Sequence, residues 1–323
     1  MWGALFPGQG SQSVGMGKFL FEEFALARQL FEESGDTLKI NFKKLCFEGP
    51  EEALQLTENT QPALLLVSTV SYRVMSSIMP VKTEGAAGHS IGEYAALVAS
   101  GVLNFPDALR AVRSRGQFMQ RAVPVGEGGM CAVLGLSDEL VRKMCALVEA
   151  QSGEKPLEPA NFNNPGQVVV SGSMKAIEWM RANVKPEWVT EHLGADVGRA
   201  KLIPLSVSAP FHCSLMKPAE EEMRHVLEAT DFNVGRFPVV QNLTAEVADD
   251  PKQIRERLIG QISGAVRWTQ CQEFLLAKGI DRYVEFGSGK VLAGLTKKIA
   301  GDKAKVFGLN SLEDLKALEI ASH

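Results

Sequence analysis

Gly88-His89-Ser90-Ile91-Gly92 is the segment of this 323-residue chain whose residue types and spacing best suit covalent chemistry. A serine with glycine two places before and two places after fits a tight strand-to-helix turn that lifts the hydroxyl above a sheet edge. The surroundings agree, since a short strand at 85–89 precedes it and an apolar helix at about 91–100 follows. In that setting Ser90 is a nucleophile, and the amide of Ile91, at a helix N-terminus, can donate to an oxyanion. A serine nucleophile needs a base. Among the five histidines, His89 adjoins the turn and points away from it, His323 is terminal, His225 sits in a charged helical run, and His192 follows a polar stretch. His212 closes a segment of apolar and small residues at 204–211 and directly precedes a helix, at a strand end, where α/β proteins collect their chemistry. It is the best base in the chain. No acidic third member stands out: Asp196 and Asp231 have no special setting, and a backbone carbonyl is the alternative that orients the imidazole.

A second chemical group lies on the helix expected at 105–123. Its apolar stripe runs through Phe105, Ala108, Leu109, Val112 and Met119, and Arg115 falls on that stripe, whereas Arg110, Arg113 and Arg121 project elsewhere and read as solvated. Leaving a buried charge unpaired costs roughly 3–5 kcal/mol, so Arg115 requires an anion. The two candidates are a protein carboxylate and a substrate carboxylate gripped by both prongs of the guanidinium. The loop Phe6-Pro7-Gly8-Gln9-Gly10-Ser11-Gln12 follows the first strand. A dinucleotide loop would carry its third glycine where Ser13 stands. A loop that approaches a ligand closely, with one amide as a second oxyanion donor, fits better.

These groups need elements to hold them. Periodicity predicts a strand at 2–6, helices at 18–33 and 58–79 (the latter capped by Thr60, with Pro62 in its first turn), then the strand and two helices around Ser90 and Arg115. The middle of the chain reads strand 130–134, helix 138–150 capped by Ser137, strands 159–163 and 167–171 joined by an Asn164-Pro165-Gly166 turn, helix 174–181 and strand 200–205. That βαββαβ order is the ferredoxin-like unit. The remainder alternates: helix 214–230, strand 238–242, helices 251–260 and 267–278, strand 281–286, helix 289–300 and strand 304–309. The expected fold is α/β, with a mostly parallel sheet in a large domain at 1–125 and 205–323 and a small inserted domain at 126–204.

Composition sets limits on partners. Apolar residues make up 45%, charged residues 22%, and the net charge is −4, which suits a globular protein and argues against a nucleic-acid binder. No run of 18 apolar residues signals a membrane span. The five cysteines are scattered and never in a CxxC pair, which fits free thiols in a reducing compartment and no metal site. A cytoplasmic location is expected, with a processed mitochondrial or plastid form as the alternative.

Taken together the motifs resemble the malonyl-CoA:acyl-carrier-protein transacylase family. They run in that family's order: Phe6 to Gln12, Gly88-His89-Ser90-Ile91-Gly92-Glu93, Arg115-Gly116 with Met119-Gln120, and Asn161-Phe162-Asn163 with Pro165-Gly166-Gln167. Phe211-His212 with Leu215-Met216 and Pro218 follows, then Gln261 before Val266-Arg267-Trp268, and Glu285-Phe286-Gly287. The resemblance implies an α/β-hydrolase-like large domain, Ser90 as the acylated nucleophile, His212 as its base and the backbone carbonyl of Gln261 as its orienting group. It implies oxyanion donors at Gln9 and Ile91, a carboxylate clamp at Arg115, and substrate contacts at Asn163 and at Phe211, whose ring would crowd a 2-methyl branch. The substrate would be malonyl-CoA and the acceptor the phosphopantetheine thiol of an acyl carrier protein, with no bound cofactor or metal. A monomer is expected. A carrier is acidic, so Arg110, Arg113 and Lys297-Lys298 are the candidate basic contacts. The rival readings are a serine thioesterase or esterase, a non-catalytic docking module, and a free-standing acyltransferase of a polyketide pathway.

Overall fold

The computed structural model describes residues 1–79, 81–194 and 200–322. Its strands in chain order are β1 (Trp2–Phe6), β2 (Thr83–Gly88), β3 (Gly128–Leu134), β4 (Leu157–Asn164), β5 (Gln167–Ser173), β6 (Lys201–Pro204), β7 (Val239–Val240), β8 (Arg282–Glu285) and β9 (Lys305–Phe307). All five residues of β1 are buried, as suits a strand covered on both faces in a parallel sheet. It sits at the centre of a five-stranded sheet ordered β7-β2-β1-β8-β9, parallel throughout. The carboxyl ends of β1, β2 and β7 therefore share one edge. The loop with Gln9, the turn with Ser90, and Gln241-Asn242 all leave from it.

The second sheet is antiparallel, ordered β4-β5-β3-β6. Its two faces follow the period of two along β3 and β5, and register irregularities in β4 put Ala160 and Phe162 on opposite faces. Cys131, Val133, Phe162, Val168 and Val170 point into a separate core with helices Asp138–Ser152 and Met174–Asn183. The alternate residues Met130, Ala132, Ala160 and Val169 join the main core instead. Phe162 N–H donates to Val266 O at 2.9 Å and Val266 N–H to Ala160 O at 2.8 Å, so the small sheet is laced to the segment before helix Trp268–Ala277.

Several sequence expectations need correction. The helix expected at 18–33 is two helices, Lys18–Glu23 and Ala25–Leu38, broken where Phe24 turns extended and meets Phe19 edge-on. Thr60 does not cap its helix. That helix runs Thr57–Ile78, and the Thr60 hydroxyl lies inside it, donating to Leu54 O at 2.5 Å. Arg113 is not free in solvent. Pro62 has no N–H to offer the carbonyl of Glu58 four residues back, and Arg113 Nη1 donates to that carbonyl at 2.7 Å while its Nη2 pairs with the Glu58 carboxylate at 3.4 Å. Helices Phe42–Phe47, Glu51–Gln55, Pro186–Leu193 and Leu312–Ser322 were not expected, and β7 is shorter than the strand expected there. Ser137 caps its helix as expected, accepting from Leu140 N–H.

The two-faced small sheet makes a test. Phe162→Ala, on the face with its own core, should lower the unfolding free energy by about 3–5 kcal/mol. Asn163→Ala, the next residue on the opposite face, should cost only about 1 kcal/mol. Denaturant melts of the two variants check this.

Candidate active site

The turn after β2 is shaped by sterics. A Cβ on Gly88 would lie 1.9 Å from Gly92 O, and one on Gly92 would lie 2.1 Å from Phe6 O, so neither place admits any other residue. Ser90 between them takes φ 53°, a left-handed conformation that is uncommon for a side-chain-bearing residue. Helix Gly92–Ser100 starts at once, and its nine residues are all buried. The amide of Ile91 finds no acceptor among the described residues, nor does that of Gln9 in the facing loop, and both residues line the cavity that holds Ser90. The Gln9 side chain is steadied by Thr57, at the start of its helix, through a 3.4 Å hydrogen bond.

His212 also adopts a left-handed backbone, φ 60°, which turns its ring toward the serine. Ser90 Oγ and His212 Nε2 are 2.7 Å apart, and His212 Nδ1 is 2.9 Å from Gln261 O. A carbonyl can only accept, so Nδ1 carries the proton and Nε2 is left as the acceptor for the serine hydroxyl. No carboxylate takes part in this pairing. Burial, and then the positive charge of Arg115, push the His212 pKa down to about 3, so the imidazole is neutral at neutral pH, with Nε2 free to accept.

Arg115 is 1% exposed. Its Nη2 donates to Gln261 Oε1 at 3.0 Å and to Ser90 Oγ at 3.3 Å, and its guanidinium lies 5.7 Å from the centre of the Tyr94 ring. Among the described residues no carboxylate comes within ion-pair distance of it, and its Nε has no partner. Burial lowers its pKa, with the nearby Tyr94 and Glu93 acting the other way.

These groups border one cavity of about 360 Å³ between the parallel-sheet edge and the small sheet. Phe211, Asn163, Met130, Val169 and Leu205 complete its walls. Asn163 Oδ1 lies 2.8 Å from His89 Nε2, which accounts for the histidine beside Ser90. His225 is exposed and His192 stacks on Trp188, so neither approaches Ser90. Asp231 is exposed, and Asp196 and His323 lie outside the described residues. The structure thus brings together Gln9, Ser90, Ile91, Arg115, Asn163, Phe211, His212 and Gln261.

Sequence reasoning gave no role to a set of polar residues around them. Asn242 Oδ1 accepts from Ser90 N–H at 2.7 Å, and its Nδ2 donates to Gly88 O at 2.8 Å. Thr57, Ser208 and Gln120 form a hydrogen-bonded chain from Gln9 toward the segment that leads to His212. Gln61, 1% exposed, faces the cavity beside Met119, its Oε1 unpartnered. Short polar residues of this kind carry no periodic signal, and only their contacts reveal them.

Comparison with known proteins agrees with the geometry. The acyl transferase domain model matches residues 4–253. The malonyl CoA-acyl carrier protein transacylase of Bacillus subtilis is 43% identical over 297 residues, covering 91% of this chain and 89% of the relative. The crystal structure of an acyl carrier protein S-malonyltransferase from Vibrio cholerae superimposes with a TM-score of 0.90 at 40% identity, covering 98% of this chain and 99% of that one. A malonyl-transacylase in complex with its type II PKS acyl-carrier protein matches with a TM-score of 0.90 at 39% identity, covering 99% of each chain. The chain belongs to the acyl transferase family, among its malonyl CoA-acyl carrier protein transacylases.

Proposed function

We propose that the protein moves a malonyl group from malonyl-CoA to the phosphopantetheine thiol of an acyl carrier protein, by way of a malonyl ester on Ser90, and so supplies chain extension in fatty-acid synthesis. The observation that carries this reading is Arg115: a buried guanidinium beside the nucleophile, with no carboxylate among the described residues within ion-pair distance. A substrate carboxylate supplies the missing charge.

In the first half-reaction Ser90 Oγ attacks the thioester carbonyl while His212 Nε2 takes its proton, and the amides of Gln9 and Ile91 receive the oxyanion. The C–S bond breaks, His212 returns the proton to the CoA thiolate, and malonyl-Ser90 remains. The carrier thiol then attacks that ester and the steps reverse. Gln261 O holds the protonated imidazole in place. The malonyl carboxylate also counters the Arg115 charge that depresses His212, so the correct donor makes its own base stronger. Phe211 closes one wall where a 2-methyl branch would stand, and Asn163, held by His89, borders the same space.

We read residues 1–125 and 205–323 as the catalytic domain and 126–204 as an inserted small domain, which its separate core supports. The enzyme acts as a monomer in the cytoplasm, in keeping with five free buried cysteines, and uses no bound cofactor. Lys297 and Lys298 are exposed and available to an acidic carrier; Arg110 is exposed but paired with Asp107, and Arg113 is tied to Glu58. The complex of a related malonyl-transacylase with a type II PKS carrier supports a polyketide carrier as the second reading of the acceptor.

Intact-mass measurement after mixing with malonyl-CoA, without carrier, should find one malonyl group on the wild type and none on Ser90→Ala. Steady release of free malonate with no adduct would instead make water the acceptor. Arg115→Ala should slow malonyl loading by ~100-fold or more, the loss of a charge-assisted hydrogen-bonded pair, and leave acetyl loading from acetyl-CoA little changed. Equal losses on the two donors would show that Arg115 does not read the carboxylate.

A further inference from the structure

Glu93 is fully buried, three residues after Ser90 on helix Gly92–Ser100, and the transfer chemistry does not use it. Its surroundings are specific. Oε2 accepts from the backbone N–H of Asn242 at 2.8 Å and from Gln261 Nε2 at 2.9 Å, and Oε1 accepts from Gln241 Nε2 at 3.2 Å. Two of these donors reach the nucleophile. Asn242 Oδ1 accepts from Ser90 N–H, and Gln261 Nε2 also donates to Ser90 O at 3.0 Å. The same Gln261 meets Arg115 through its amide oxygen and His212 through its backbone oxygen.

We propose that Glu93, as a carboxylate, is a positioning residue for the reaction: through Asn242 and Gln261 it fixes both peptide groups of Ser90 and holds Gln261 between the base and the clamp. This rests on Ser90 being the nucleophile. Three N–H donors aim at Glu93, so a neutral acid there would strand its own O–H against donors and loosen the set. The charged or titratable groups that face it are Arg115 from helix Phe105–Arg121, Cys271 from helix Trp268–Ala277 and Tyr94 on its own helix. Burial pushes the Glu93 carboxyl up to about 7, against the pull of its N–H donors and Arg115. Ser90 reactivity is therefore full above that pH and falls as pH drops through it, well above the range in which His212 takes up a proton.

The test is the rate at which a fluorophosphonate labels Ser90, read by intact mass across a pH series, for the wild type, Glu93→Gln and Gln241→Met. Gln241 touches Glu93 but not Ser90, and its Oε1 has no partner to lose. The wild type should show an acid limb near neutrality. Glu93→Gln should label ~100-fold more slowly at the alkaline end and lose that limb, a displaced nucleophile being the cause. Gln241→Met removes one donor to the charged form and should move the limb to higher pH. A folded Glu93→Gln protein that labels at the wild-type rate with the wild-type limb overturns the proposal, as does an unmoved limb in Gln241→Met should Glu93→Gln fail to fold. Labelling needs no malonyl-CoA, so an error in the substrate reading would leave this comparison intact and appear only as a missing malonyl adduct.

Discussion

A positive charge at one per cent exposure, 3.3 Å from the serine hydroxyl, is the constraint around which this protein is arranged. Arg115 cannot be discharged and cannot reach water. Its protein partners are an amide oxygen, a hydroxyl and the face of Tyr94, none of which carries a formal charge. These neutral dipoles make the charge tolerable without cancelling it. On the proposed function, the remaining attraction acts on the donor's carboxylate. On that reading an acetyl group would offer the guanidinium nothing, and the incompletely paired Arg115 would select for a carboxylate. Burial first, and the same charge second, lower the His212 pKa, so on the proposed function a donor carboxylate that offsets the charge would strengthen the base.

The scaffold explains how so exacting a cluster is held. Three parallel strands end along one edge and send out the loop with Gln9, the turn with Ser90, and Asn242. The small sheet covers that edge with the face that does not pack on its own helices. Ser90 and His212 both sit in left-handed backbone conformations, each costing of order 1–3 kcal/mol. Glycines at 88 and 92 make room for the first, and the bonds of His212 to Gln261 and Ser90 fasten the second.

Much of this was legible in the residues. The elbow was visible because its glycines answer a steric demand, and Arg115 because a lone cation on an apolar stripe breaks the helical pattern. His212 was visible because it ends an apolar segment. The βαββαβ unit was visible because its strands alternate and its turn residues are distinctive. What could not be read lay in contacts between distant positions. Gln261 meets Arg115 across 146 residues, and nothing near a helix-end glutamine says that it is buried. Thr60 looked like a cap because hydroxyls favour helix starts, but a backward bond to Leu54 is open to the same hydroxyl inside the helix. Arg113 looked solvated because periodicity does not reveal that Pro62 leaves a carbonyl in need of a donor.

The most direct test of the central claim is a crystal structure of the wild-type protein with Ser90 malonylated. Both carboxylate oxygens should lie about 3 Å from the Arg115 guanidinium, with the ester carbonyl between the amides of Gln9 and Ile91. A malonyl group whose carboxylate points to solvent, with Arg115 still bonded only to Gln261 and Ser90, would contradict the account.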